Sequence, residues 1–355
     1  MNTVARAFLF SVLIAIMAAG CGGGDDGGVD GGGNTPVDGG GDGGGGGGDF
    51  GGSDAGTPLT PFGFVIVSDL HTRLPGNPDD GLYDNQKNLD NLAGAVETIN
   101  TKHGDADFAA VTGDMVGALF SEDPDDYLAG NDNPAEKFTE IMGGLSMPFH
   151  AALGNHDYQK SYDPAINEGI TTSDVGAIES VWKKVLGIDP YYSFVHKGVR
   201  MIFLNSNRGD ARAAICSGET VEAFCTGSFD DAQMTWLDAE LAKDGPAILF
   251  FHHPPKTDSD TVMFAAPPGF LVADGDRFYD VAKTHAAKIL AIFVGHGHVW
   301  ERDRLYKKIP VYETGAIGDT GGNAENIHVV TVDPNAPSIE VVIGREGVKY
   351  YSDNQ

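Results

Sequence analysis

Five short apolar segments, each followed by a cluster of Gly, Asp, Asn or His, are the feature that most constrains how this chain folds. Between them lie segments whose apolar residues recur at helical spacing, so the pattern predicts alternating strands and helices. In α/β folds, the side chains that bind ligands collect at the carboxyl ends of the strands. We therefore expect clusters that are far apart in the sequence to meet at one site. In chain order, the clusters are Asp69-Leu70-His71, Gly113-Asp114, Gly154-Asn155-His156-Asp157, His252-His253-Pro254 and Gly295-His296-Gly297-His298.

The predicted elements cover most of residues 59–355, where no repeat or low-complexity break occurs, so we expect one large domain there. The strands that precede the five clusters are predicted over residues 64–67, 108–111, 149–153, 247–251 and 289–294. Further strands are predicted over residues 191–195, 201–205, 311–313, 328–332 and 339–343. Helices are predicted over residues 84–102, 134–145, 174–186, 230–243 and 276–287.

The residue types in the clusters indicate metal binding. Imidazole, carboxylate and amide oxygen together suit metals such as Zn, Mn or Fe, and the ligand types do not decide among these three. No cysteine takes part, which excludes a structural thiolate zinc site. The candidate ligands are too many for one ion that keeps an open position, so two ions sharing one carboxylate fit better, as in many phosphate ester hydrolases. The candidates are Asp69, His71, Asp114, Asn155, His252, His296 and His298.

In order, type and spacing, the five clusters resemble those of the calcineurin-like metallophosphoesterases across most of residues 64–300. The resemblance implies an α/β fold, a four-layered α/β/β/α sandwich with a mixed double sheet. Residues 295–302 and 191–194 are similar to motifs of the purple acid phosphatases. Those enzymes carry a metal-bound tyrosine three residues after the bridging aspartate, where this chain has Gly117, and His71 stands in the block that supplies a histidine in other branches. The chain therefore resembles the non-purple members, nearer the branch that includes bacterial cyclic-nucleotide phosphodiesterases.

The resemblance also implies a role for each candidate residue. Asp69, His71 and His298 would hold the first ion, and Asn155, His252 and His296 the second, with Asp114 bridging the two. His156 would be the catalytic histidine, which protonates the leaving oxygen or stabilises charge on the phosphoryl group. His253 and Asp157 would contact the ligands rather than the ions.

These roles predict a dinuclear hydrolase of phosphate esters, in which a hydroxide held between the ions attacks phosphorus while His156 assists. A phosphomonoesterase resembling the acid phosphatases is the favoured interpretation, with small phosphorylated molecules as substrates. The alternative is a phosphodiesterase acting on cyclic nucleotides or other diesters. A non-catalytic binding lipoprotein is disfavoured because no ligand is missing. Arg73 is compatible with either a contact to substrate phosphate or a surface charge.

The amino-terminal region predicts export and lipid anchoring. Residues 1–20 have the basic, apolar and small-residue parts of a signal peptide. They end directly before Cys21, which resembles the acylated cysteine of bacterial lipoproteins. Residues 21–58 are then the lipidated cysteine and a disordered Gly/Asp-rich tether, and residues 59–355 the catalytic domain. We expect the protein on the periplasmic or outer-surface side of a bacterial cell envelope.

Composition excludes some partners and favours one covalent link. The net charge is −28, with 51 acidic against 23 basic residues, which argues against nucleic acid as a partner. The apolar segment 8–19 is shorter than the roughly 20 residues that span a bilayer, so contact with the lipid bilayer is expected through the acyl anchor only. Cys216 and Cys225 remain once Cys21 is assigned to lipid, and an oxidising compartment favours a disulfide bond between them over a free-thiol or metal role.

Overall fold

The computed structural model describes most of the predicted catalytic domain, all within the compact unit Ser53–Gln355. The predicted signal peptide, Cys21, the tether, and the Cys216–Cys225 pair lie outside the described residues, so these features stay predictions. Within the described ranges, every helix is too short or too polar to cross a membrane. These ranges are residues 60–75, 84–119, 133–159, 172–209, 226–257, 271–318, 321–335, 338–343 and 349–353.

Strands in the described ranges form two six-stranded mixed sheets. In spatial order, the first sheet consists of β12 (Lys349–Asp353), β11 (Ser338–Ile343), β10 (His328–Asp333), β1 (Phe62–Val67), β2 (Phe108–Val111) and β3 (Phe149–Ala151). The last three run parallel to one another, and β10 pairs antiparallel with β1. Parallel pairing places the carboxyl ends of β1, β2 and β3 at the same edge of the sheet.

The second sheet repeats this arrangement with other strands. In spatial order, it consists of β4 (Tyr192–His196), β5 (Val199–Phe203), β6 (Ala247–Phe250), β7 (Ile289–Val294), β9 (Ile309–Glu313) and β8 (Glu301–Leu305). Strands β5, β6, β7 and β9 are parallel, while β4 and β8 are antiparallel edge strands. The carboxyl ends of β6 and β7, where two of the clusters lie, are therefore neighbours.

Helices cover the outer face of each sheet. The first sheet packs against α1 (Asn85–Lys102), α2 (Pro134–Met142) and α3 (Thr172–Leu186), and the second against α4 (Asp231–Ala242) and α5 (Arg277–Thr284). Four of these helices begin after an Asp or Asn whose side chain accepts a hydrogen bond from the first turn, which satisfies a backbone N–H that would otherwise lack a partner.

Successive residues of a strand point to opposite faces of its sheet, and both faces of each sheet are apolar here. One face packs against helices and the other against the second sheet. In β1, Phe64 and Ile66 enter an aromatic core between the sheets, while Val65 and Val67 pack under the helices. In β6, Phe250 enters the same central core, and Leu249 packs under α4 and α5. The resulting order of layers is α/β/β/α, which confirms the predicted fold class.

Most predicted elements lie within a few residues of the observed ones, but two strands were missed. Strand β8 has the sequence Glu-Arg-Asp-Arg-Leu and β12 the sequence Lys-Tyr-Tyr-Ser-Asp. Charged edge strands lack the apolar alternation that indicates a half-buried strand. Their position is set by backbone pairing to β9 and β11, which the local sequence does not encode.

Candidate metal centre

The loops after β1 and β2 run side by side and bring three candidate ligands together. The backbone N–H of Asp69 donates to Gly113 O (3.1 Å), and the N–H of His71 donates to Asp114 O (2.9 Å). These bonds continue the parallel pairing of the two strands beyond their ends. The loop conformations therefore follow from the sheet itself.

Five of the candidate ligands have backbone conformations in the left-handed region. Their φ angles are 52° at Asp69, 42° at His71, 51° at Asp114, 81° at His296 and 58° at His298. Non-glycine residues adopt this region at a cost of roughly 1–2 kcal/mol each, and they persist there only where the surrounding structure fixes them. Such strain is typical of functional sites.

Two glycines are required by the close approach of these loops. A Cβ atom on Gly154 would overlap the Asp114 carboxylate, and one on Gly113, where φ is 105°, would overlap the ring of His252. The clusters therefore supply both donor groups and the space that lets them meet.

The first group of candidate ligands combines one strand end of the second sheet with two of the first. His71 Nε2 lies 3.1 Å from His298 Nε2 and 3.8 Å from Asp114 Oδ2. His298 Nε2 lies 3.3 Å from Asp69 Oδ1. One donor atom from each of the four residues lies within 4.8 Å of all the others, as expected around a single ion.

The second group shares Asp114 with the first. His252 Nε2 lies 3.3 Å from Asp114 Oδ2, 2.9 Å from Asn155 Oδ1 and 3.2 Å from His296 Nδ1. Donor atoms of Asp114, His252 and His296 again lie within 4.8 Å of one another. The two groups thus adjoin through one carboxylate.

Three observations fit these groups to a pair of metal ions. Asp114 Oδ2 is buried and has no hydrogen-bond partner among the described residues. His252 Nδ1 lies 2.9 Å from Thr112 O; because a carbonyl only accepts, Nδ1 carries a proton and Nε2 is the atom that faces the group. Such a bond fixes the tautomer of metal-binding histidines. The donor types also suit Mn, Fe or Zn.

The electrostatics of the centre are dominated by Asp114. Burial alone would raise the pKa of its carboxyl, but the imidazoles of His252, His156 and His71 hold that pKa well below its usual value. Burial would likewise lower the pKa of His252, yet Asp114 raises it to about 9. The pKa of His296 is lowered by burial and by the neighbouring His253 and His252. Asp114 is therefore the anion around which the histidines gather.

His156 lies beside the first group without belonging to either. Its backbone N–H donates to Asp114 Oδ1 (2.8 Å), and its ring packs edge-on against His71, with centroids 4.6 Å apart. Its Nδ1 lies 3.0 Å from Gly117 O, so Nδ1 donates there and Nε2 remains for a substrate. Burial lowers the pKa of His156, although Asp114 partly opposes this effect.

The two residues predicted to contact ligands lie behind them. The carboxylate of Asp157 accepts from the N–H groups of Val116 (3.1 Å) and Gly154 (2.8 Å), and so ties two of the loops together. His253 Nδ1 lies 2.7 Å from Ser206 Oγ, and its ring lies 4.6 Å from that of His296. Neither residue belongs to the two donor groups.

The structure adds two buried charged residues near the centre. Arg73 is 1% exposed, so its interpretation as a surface charge was wrong. Burial is the main cause of the lowered pKa of His156, and the positive charge of Arg73 lowers that pKa further. Glu313 is fully buried at the end of β9, where a Cβ atom on Gly297 would overlap its carboxyl group. In the sequence, Glu313 directly follows the apolar residues of β9. An acidic residue at the end of such a strand is a signal that could have indicated a functional position.

Comparison with known proteins gives one family. The sequence model of the calcineurin-like phosphoesterases matches residues 62–300, a range that contains all five clusters. A probable cyclic nucleotide phosphodiesterase of Rhodopseudomonas palustris is 26% identical over 242 residues, covering 66% of this chain and 71% of the relative.

Two solved structures share the architecture. A dimetal phosphatase from Danio rerio has a TM-score of 0.52 at 15% identity, covering 80% of this chain and 96% of its own. The purple acid phosphatase PPD1 from yellow lupin (Lupinus luteus) seeds has a TM-score of 0.53 at 14% identity, covering 83% of this chain and 53% of its own. At such identities the likeness is one of fold.

Proposed function

The chain belongs to the calcineurin-like phosphoesterase family and is a metal-dependent phosphoesterase. On this premise we propose that it hydrolyses small phosphate esters with the help of two metal ions, which two donor groups with Asp114 in common would hold. One observation carries the proposal: two donor groups, each compact enough for one ion, have the Asp114 carboxylate in common.

Asp69, His71, Asp114 and His298 would hold the first ion, and Asp114, Asn155, His252 and His296 the second. When bound, two divalent ions supply an activated water at neutral pH and neutralise charge on the phosphoryl oxygens. The chain's own residues fix where that chemistry happens. Asp114 orients both donor groups, and its second oxygen accepts from the His156 N–H.

His156 is the residue proposed to act on the substrate directly. Its Nδ1 is engaged by Gly117 O, 3.0 Å away, which orients the ring. In the imidazolium form of His156, Nδ1–H donates to Gly117 O and Nε2–H can donate a proton to the leaving oxygen or a hydrogen bond to a phosphoryl oxygen. General acid assistance of this kind typically contributes about 10²–10⁴-fold in rate.

Two ester classes are candidates for the substrate. We favour phosphate monoesters, as for the acid phosphatases that the sequence motifs resemble. Diesters, cyclic nucleotides among them, are the second candidate, supported by the 26% identical relative from Rhodopseudomonas palustris, a probable cyclic nucleotide phosphodiesterase. Gly117, in place of a metal-binding tyrosine, supports that candidate too.

The test compares initial rates on p-nitrophenyl phosphate and bis-p-nitrophenyl phosphate for the purified protein loaded with Mn²⁺. A higher rate on the first supports the monoesterase, and a higher rate on the second supports the diesterase. No turnover of either ester, with metal bound, would contradict both and favour a non-catalytic binding protein.

We also propose that the enzyme is exported and anchored by lipid at Cys21, with a disulfide bond between Cys216 and Cys225. The support is the amino-terminal sequence pattern and the cysteine count. In a bacterial host, the full chain is expected in the detergent phase of a phase-separation assay, and the Cys21→Ser variant in the aqueous phase. Equal partitioning of the two would contradict the anchor.

A further inference from the structure

A set of buried and half-buried polar side chains holds the 3₁₀ turn that carries His156. The turn spans His156–Tyr158 and is contacted from helix α3 and from the loop after β5. We call this set the α3 clamp. It consists of Tyr158, Glu179, Trp182, Asn205 and Arg208.

Helix α3 contacts the turn through two hydrogen bonds. Trp182 Nε1 donates to Asp157 O (2.9 Å), and the Tyr158 hydroxyl donates to Glu179 Oε1 (2.9 Å). Tyr158 is 0% exposed and Trp182 is 1% exposed. The backbone of one turn residue and the side chain of the next are thus both fixed by the same helix.

The second sheet contributes the rest of the clamp. Asn205 Nδ2 donates to the Tyr158 hydroxyl oxygen (2.6 Å), and Arg208 Nη1 donates to Glu179 Oε2 (2.6 Å). Arg208 Nε also donates to Asp230 Oδ2 (2.6 Å), the residue that caps α4. The clamp therefore joins the helix layer of the first sheet to a loop and a helix start of the second.

Stability alone does not account for this arrangement. Burying a tyrosine hydroxyl, a carboxylate and an amide together costs desolvation that an apolar contact of the same shape avoids. What such a network provides is a unique geometry. The geometry fixed here is that of the turn holding His156, whose ring must stay on the Gly117 carbonyl and beside His71.

We propose that the α3 clamp is a positioning device for His156, with Tyr158 and Glu179 acting on catalysis only through that histidine; this rests on the proposed function. The backbone N–H of Tyr158 donates to O of the candidate ligand Asn155 (3.1 Å), whereas its hydroxyl bonds to Glu179 and Asn205. Loss of the Tyr158 hydroxyl should leave metal binding intact and should weaken the step in which the leaving oxygen takes up a proton.

The test measures how the rate depends on the leaving group, because general acid assistance matters most for a poor one. The full chain loaded with Mn²⁺ is assayed on phenyl phosphate and p-nitrophenyl phosphate, or on the corresponding diesters if those are the esters it hydrolyses. Tyr158→Phe is expected to lower kcat on the phenyl ester about tenfold and on the nitrophenyl ester less than about twofold. Glu179→Gln should show the same pattern.

Two comparisons separate positioning from general weakening. Tyr192→Phe is the matched control, since it also removes a tyrosine hydroxyl bonded to backbone groups of Ala151 (3.0 Å) but leaves the turn untouched. It should leave the ratio of the two rates unchanged. In a His156→Ala background, Tyr158→Phe should cause no further loss, because its effect passes through His156.

Three results would overturn the proposal: equal losses on both esters, a further loss in the His156→Ala background, or loss of bound Mn²⁺ in Tyr158→Phe. The last would place the effect at Asn155, which precedes the turn. Failure of the proposed function looks different, since the wild-type chain itself would then turn over neither ester.

Discussion

The two sheets contribute unequally to the candidate centre. The first sheet supplies both carboxylates, Asp69 and Asp114, together with His71 and Asn155, whereas the second supplies only the imidazoles of His252, His296 and His298. All of the formal negative charge offered to a metal pair thus comes from one side. Imidazoles alone bind divalent ions without neutralising them, so the first sheet should set how strongly ions are held.

The supports of the two halves differ as well. Hydrogen bonds between adjacent loops hold the first-sheet half, and the Asp157 carboxylate ties Val116 to Gly154. Ring packing holds much of the second-sheet half: His253 lies against His296, and Trp300 lies 4.5 Å from His328, which begins β10 of the first sheet. A change of shape should therefore do most damage in the first half, and a change of protonation in the second.

The largest effect is expected for the residue that the two halves share. Asp114→Asn keeps the size of the side chain but removes its charge from both donor groups. We expect a loss of about 10³-fold or more in turnover and of both bound ions, with an unchanged circular dichroism spectrum. Metal analysis by mass spectrometry checks this result; two retained ions would show that Asp114 is not the shared ligand.

Variants that lose a ligand belonging to only one donor group should separate the contributions of the two sheets to metal binding. His71→Ala removes a donor from the first group only, and His296→Ala from the second only. Each variant should keep about one ion per chain, with turnover lowered about 10²-fold, in the range seen when one strong transition-state contact is lost. Loss of both ions from His296→Ala would mean that the second sheet contributes more to metal binding than its lack of carboxylates suggests.

Gly154→Ala tests the shape requirement of the first-sheet half. The added methyl group would overlap the Asp114 carboxylate and backbone, and overpacking of this kind costs about 1–3 kcal/mol. We expect lower unfolding free energy and weaker Mn²⁺ binding. Gly176→Ala is the matched control: this exposed helical glycine has nothing within 4 Å of an added Cβ, so the change should stabilise the protein by about 0.5–1 kcal/mol. Equal behaviour of the two variants would contradict the packing argument.

His328, on β10 of the first sheet, tests with acid the contacts that this sheet makes to Trp300 and Thr314 of the second-sheet half. Burial lowers its pKa to about 3, below the value of about 6.5 for an unfolded histidine. Only the unfolded chain then takes up a proton between those values, so the stability it contributes is present above about pH 6.5 and is lost as pH falls. The loss should reach about 2 kcal/mol between pH 7 and pH 5.

The variant His328→Asn checks this value. Asn can keep a hydrogen bond to Thr314, whose Oγ1 lies 2.9 Å from His328 Nδ1, but it does not titrate. Urea unfolding at pH 7 and pH 5 should show a smaller difference in unfolding free energy for the variant than for wild type. An unchanged difference would mean that His328 is not held neutral.

The sequence predicted the fold and the convergence of the clusters because both depend on local patterns. Alternating apolar residues give the strands, and residue types at strand ends give the candidate ligands, as at Asp69 and His296. The architecture is confirmed, while the assignment of each ligand to an ion stays a prediction. Strand β8 was missed because its charged sequence lacks the apolar alternation of a half-buried strand, and its pairing with β9 is a contact between separate segments.

What the sequence could not predict depends on contacts between distant segments. Arg73 is a charged loop residue, a kind usually found at the surface, yet the packed loops bury it. The left-handed backbone at Asp114 and His298 depends on contacts between loops from different strand ends, which no single segment of the sequence contains. Tyr158 and Glu179 are ordinary residues of a loop and a helix until α3 packs against the turn.

The most direct test of the account counts bound ions and turnover in the same samples. Chelator-treated protein is titrated with Mn²⁺, and bound metal and the initial rates on both nitrophenyl esters are measured at each step. The account predicts a rate that levels off only when about two ions per chain are bound. Full turnover with one bound ion, or two bound ions with neither ester hydrolysed, would contradict it.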